Sequence, residues 1–109
     1  MTVDEVQERI HLQAGNDLEI TNSHGITLRQ ALVQPQRIIV IVRSVRNGKV
    51  KDQIEDVWLV GREDSTDGYR IVMREDGLQF GLASKGLPAD RFPVLTGWYG
   101  SLKSAFIGT

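Results

Sequence analysis

Charged side chains interrupt the most apolar stretch of the chain, IIVIVRSVRNGKVKDQIEDVWLV at residues 38–60, and they are the groups whose chemistry needs explaining first. Asp52 and Asp56 are an even number of positions apart in a segment that reads as a β-strand. They therefore share a face, where an apolar setting would raise a carboxyl pKa toward the range of a general acid or base. Arg43 falls opposite Asp52 once this segment pairs with the one before it, which neutralises one of the two carboxylates. Asp56 faces Ile39 and stays the freer acid. Trp58, Trp98 and Tyr99 are aromatic groups with polar tips, suited to wall a small-ligand cleft. Arg43, Asp52, Asp56, Trp58, Trp98 and Tyr99 are the candidate pocket residues, with no catalytic role assigned to any of them.

Other chemistries are poorly supplied. His11 and His24 are the only histidines and share no ligand spacing such as H-x-x-x-H, so no metal site is expected. The absence of cysteine removes disulfides, thiolate ligation and a cysteine nucleophile. No GxSxG elbow, Walker loop or dinucleotide fingerprint occurs, GLASKG lacks the strand-loop-helix setting of a phosphate cradle, and no cofactor is expected. Arg46, Lys49, Lys51, Arg70 and Arg74 form a basic stripe on one sheet face, without interleaved aromatic residues for stacking. With thirteen Lys and Arg against fourteen Asp and Glu, a net charge of -1, no global field recruits nucleic acid or an anionic membrane, and neither is an expected partner. The amino terminus MTVDEVQERIHLQ lacks the apolar core of a secretory signal and no run is long enough to cross a bilayer, which makes the cytoplasm the expected location.

The elements that must position these residues follow from local signals. At 109 residues, 40% hydrophobic and 25% charged, the chain fits one folded domain over residues 1–109. Thr2 and Glu5 have capping-box spacing, and Val3, Val6, Ile10 and Ala14 recur on one helical face, predicting a helix over 3–14. Thr27 and Gln30 repeat the signal for a short second helix stopped by Pro35. Asn47-Gly48 between β-branched runs specifies a two-residue type I′ hairpin. Its register sets Arg46 opposite Lys49, Val45 opposite Val50, Arg43 opposite Asp52 and Ile41 opposite Ile54. A second hairpin, YRIVMREDGLQFGLAS, turns at Asp76-Gly77, and GREDSTDG is the polar joint between the two. KGLPADRFPVLTG reads as a loop, followed by a C-terminal helix on Trp98, Leu102, Ala105 and Phe106 that Gly108 closes. The expected fold is α+β: a four-stranded antiparallel meander with an N-terminal helix, a short second helix and a C-terminal helix.

The base of the first hairpin is apolar on both faces. Ile38, Val40, Val42, Val57 and Leu59 line the side opposite Ile39 and Ile41, and alternation in a half-solvated sheet would have made one side polar. A cover over the second face is required, either the C-terminal helix or another subunit, so these five residues are the candidate dimer interface. The segment DGLQFGLASKGLPADRFPVLTGWYGSLKSAFIG resembles small uncharacterised bacterial proteins carried on mobile gene cassettes. The resemblance carries no functional motif and implies a bacterial accessory role. The expected function is a non-enzymatic interaction or binding module acting as a homodimer, with a protein or small molecule as further partner. The alternative is a ligand-binding protein or pocket enzyme using Asp56 or Asp52 with Arg43 beside Trp58 and Trp98.

Overall fold

A computed structural model describes residues 1–63 and 68–108. Helix α1 (Val3–Ala14) starts where the Thr2 hydroxyl accepts the Glu5 N–H at 3.2 Å and the Glu5 carboxylate accepts the Thr2 N–H at 3.0 Å. Reciprocal capping satisfies donors that a helix start otherwise leaves open. Thr27 and Gln30 repeat the device at α2 (Leu28–Ala31), which is a single turn because Leu32 is already extended. Pro35 sits inside the following strand, next to a register irregularity between Leu32 and Gln36 that excuses its missing N–H.

Strands β1 (Leu32–Arg46) and β2 (Lys49–Arg62) form the first hairpin, with Asn47 at φ 52° and Gly48 at φ 74° in its turn. The pairs are those the turn dictates, Arg43 with Asp52 and Ile39 with Asp56 among them. Strands β3 (Arg70–Arg74) and β4 (Phe80–Ser84) form the second hairpin. The polar joint expected between the hairpins falls largely on residues 64–67, outside the described residues.

The open four-stranded meander expected from the sequence is corrected here: the sheet is a closed barrel of five strands in the order β1-β2-β3-β4-β5. The extra strand, β5 (Val94–Gly100), occupies the segment that reads as loop and first helical turn. Each strand of a meander reverses the last, so the fifth runs parallel to the first, and it closes the barrel through Ile41 opposite Val94. There the Ile41 N–H donates to the Pro93 carbonyl at 2.8 Å. Register shifts at Phe80/Gly81 and Leu82/Ala83 bend the β4–β5 pair, as bulges do where a sheet must curve shut. Helix α3 (Leu102–Ile107) begins four residues after Trp98, with the Ser101 hydroxyl accepting the Ser104 N–H at 3.1 Å.

Two cores result, one on each side of the sheet wall. Val6, Ile10 and Ala14 of α1 and Leu102, Ala105 and Phe106 of α3 pack on Trp58, Val60, Ile71, Met73, Phe80 and Leu82. Inside the barrel, Val40, Val57, Val72 and Ala83 are fully buried, with Ile38, Leu95 and Trp98 packed against them. A five-stranded barrel is narrow enough for side chains to fill it, and here they do.

Candidate functional site

Arg43 is held by two carboxylates. Its Nε and Nη2 donate to Asp52 at 2.8 and 2.9 Å, and its Nη2 and Nη1 donate to Asp90 at 2.8 and 3.3 Å. Asp90 also accepts the Leu87 N–H at 2.7 Å, which ties the 85–93 loop to the hairpin. The Arg43 guanidinium keeps both carboxyls below their ordinary range, and both carboxylates push the guanidinium pKa up. A cation shared by two bidentate partners has little left to offer a ligand, and the cluster is a clamp that positions a loop. Asp52 was legible as a partner of Arg43. Asp90 was not, because it lies 47 positions away in a loop with no periodicity to place it.

The other pocket candidates are not brought together. Trp58 is 3% exposed in the core beneath the helices, with Arg37 stacked 5.6 Å from its ring centroid and its Nε1 buried without a partner. Trp98 lies on the opposite side of the wall, in the barrel. Its ring rests against Gly81, and Arg74 covers it at 4.9 Å from the ring centroid while pairing with Glu55 at 3.3 Å. Arg74 and Trp98 thus plug this end of the barrel. Asp56 is exposed at its rim, beside a cavity of about 350 Å³ lined also by Glu55, Arg74, Glu75 and Asp76. Tyr99 is exposed on β5. His24 reaches across to Glu63 with Nδ1 2.6 Å from the carboxylate. Among the described residues no group of three or more His, Cys, Asp or Glu could hold a metal ion, and no helix is long and apolar enough to cross a membrane.

The five interface candidates also have definite positions. Val40 and Val57 are fully buried in the barrel, Leu59 is buried opposite Val72, and Ile38 and Val42 are half-buried on the same face. The cover that the sequence demands over this face comes from β5, which brings Leu95 and Trp98 across it, while α3 packs on the other face. The small residues of the second hairpin, Gly81 and Ala83, were the readable sign: they make room for that closure.

What the chain leaves uncovered is farther out. Beyond Ile41, β1 has no second neighbour, and β2 pairs with β3 only from Val57 onward, so residues 42–56 form a two-stranded arm standing off the barrel. The free part of β2, Lys49 to Asp56, extends about 26 Å at the usual rise of a strand. One face of the arm carries Val45, Val50 and Ile54, exposed at 66%, 64% and 67%. The other carries Ser44, Arg46, Lys49, Lys51 and Gln53. The arm is therefore amphipathic, with its greasy side in solvent. No protein-family model, no curated protein and no solved structure matches this chain.

Proposed function

We propose that the protein is a non-enzymatic binding module that self-associates through the apolar face of the β1–β2 arm. The observation that carries this reading is the exposure of Val45, Val50 and Ile54 on a ribbon whose base is sealed by the chain itself. An isolated two-stranded ribbon is marginal in water and gains stability when a second layer covers its apolar face.

A second copy is the occupant this face fits. Its charges lie toward the barrel, where Arg43 pairs with Asp52 and with Asp90 of the 85–93 loop, each at 2.8 Å, and Asp56 is exposed, so Val45 and Val50 at the tip with Ile54 are the apolar part a second copy would cover. Two such faces meeting about a two-fold axis would turn both basic sides, with Arg46, Lys49 and Lys51, out to water. The apolar patch is of the order of 300 Å² per copy, the scale of functional patches on monomers but well under a standard interface of ~800 Å² per partner. The expected dimer is accordingly weak and concentration-dependent.

Sedimentation equilibrium from about 5 to 500 µM tests this, a range chosen to bracket micromolar association. The expected result is a monomer–dimer equilibrium that Val50→Asp and Ile54→Asp shift to monomer. Because both side chains project into solvent, neither variant should alter the far-UV spectrum. A wild-type monomer over the whole range, or variants that dimerise like wild type, overturns the proposal.

A further inference from the structure

We propose that the barrel end opposite Arg74 is a binding site for a phosphoryl group. This inference concerns a different surface from the arm and does not depend on self-association. Arg70 begins β3 on the barrel-lining face, at the end away from Arg74, and shares a cavity with residues of the 85–93 loop. The cavity is about 160 Å³ and is lined by Arg70, Lys85, Gly86, Asp90, Arg91, Phe92 and Pro93. At the ~30 Å³ that a liquid water occupies, it has room for about five waters, enough for a phosphoryl group and part of the organic group it esterifies.

Its electrostatics are one-sided. Among the described residues, Arg70, Lys85 and Arg91 take part in no ion pair. The one acid in the lining, Asp90, has both oxygens engaged by Arg43 and the Leu87 N–H, and although Arg43 is shared with Asp52, the three cations of the lining outnumber this acid. The Nη1 of Arg70 is screened from solvent without a hydrogen-bond partner. A screened, unpaired guanidinium nitrogen is costly, and a turn of the Arg70 side chain toward an anion in the cavity would remove that cost. Two guanidinium forks and an ammonium suit three phosphoryl oxygens, and a dianion gains about twice what a carboxylate does from the same cations. Phe92 and Pro93 supply an apolar wall for the organic part of a monoester.

The loop is built to stay in place. A side chain on Gly86 would run into the Asp90 carboxylate and come within 2.7 Å of Val94 Cγ2, so the loop closes only with glycine there. The Arg43 clamp then fixes Asp90, and with it the backbone that carries Arg91. A loop already held in place loses less freedom on binding than a mobile one. The clamp thus has a use beyond holding the fold: it engages both oxygens of the one acid in the lining.

Isothermal titration and thermal shift with inorganic phosphate, phenyl phosphate and acetate, each against sodium chloride at matched ionic strength, test the proposal. Saturable binding of phosphate or its ester with stabilisation above the chloride control is expected, and acetate should bind at least about tenfold more weakly. Lys85→Ala and Arg91→Ala, both at exposed loop positions, should each weaken phosphate binding about tenfold without changing the unliganded melting temperature. Tighter binding of phenyl phosphate assigns the site to esters packed on Phe92, and equal binding assigns it to free phosphate. A phosphate response equal to that of chloride, or Lys85→Ala and Arg91→Ala variants that bind phosphate as wild type does, overturns the proposal.

Discussion

Substituting Gly81 by alanine distinguishes a closed barrel from an open sheet with one methyl group. Gly81 lies on the barrel-lining face of β4 opposite Trp98. A Cβ there would fall inside contact distance of the Gly97 carbonyl oxygen and 2.7 Å from Trp98 Cε3. Neither obstacle is the loose end of a flexible side chain: one is backbone and the other a ring wedged under Arg74. Overpacking of this kind costs about 1–3 kcal/mol, and the stiffer unfolded chain of an alanine variant returns ~0.4–1 kcal/mol. The net loss is then of the order of 1–2 kcal/mol, or a fall of roughly 5–15 °C in melting temperature for a domain of this size. Gly97→Ala is the matched control. Its Cβ would meet only the Tyr99 ring at 3.6–3.7 Å, an ordinary contact, and its stability should stay within about 0.5 kcal/mol of wild type. Urea unfolding followed by tryptophan fluorescence, together with calorimetry, gives both values. If Gly81→Ala is as stable as wild type, or more so, the face of β4 is open to solvent and β5 does not close over it.

Three further outcomes follow from the Arg43 clamp and the helix caps. Arg43→Met should free the 85–93 loop, seen as faster amide exchange and cleavage within it, since Asp90 would lose its cation while its side chain is only 11% exposed. The same variant should alter the acid limb of stability. Asp52 and Asp90 have folded-state pKa values lowered first of all by hydrogen bonding to Arg43, so their contribution is present above their unfolded values near pH 4 and is lost as pH falls through the lowered ones. The difference in melting temperature between wild type and Arg43→Met should thus be greatest above about pH 4 and shrink toward pH 2, and a pH-independent difference would contradict the ion-pair account. Thr2→Ala removes the hydroxyl that accepts the Glu5 N–H and should cost ~1 kcal/mol, with exchange rising first in the opening turn of α1.

Local physics is what the sequence by itself determined. Asn47-Gly48 needs positive φ at both positions and so fixes its turn, its register and the meeting of Arg43 with Asp52. Thr2 with Glu5 and Thr27 with Gln30 mark helix starts because their partners are three residues away. Two-sided burial at the hairpin base was equally legible, since Ile38 to Val42 are apolar at odd and even positions alike. What covered it was not. Leu102, Ala105 and Phe106 keep helical spacing with Trp98, yet Trp98 faces the barrel and the helix starts only after it. The glycines of VLTGWYG weaken both helix and strand propensity, so nothing within the segment decides between them. Tertiary structure decides it, because Gly81 and Ala83 leave a space that Trp98 and Leu95 fill, and a strand delivers them there. The same holds for Asp90 beside Arg43 and for Arg70 in one cavity with Lys85 and Arg91. Each juxtaposition joins residues far apart in the chain, and its free energy exists only once the barrel has closed.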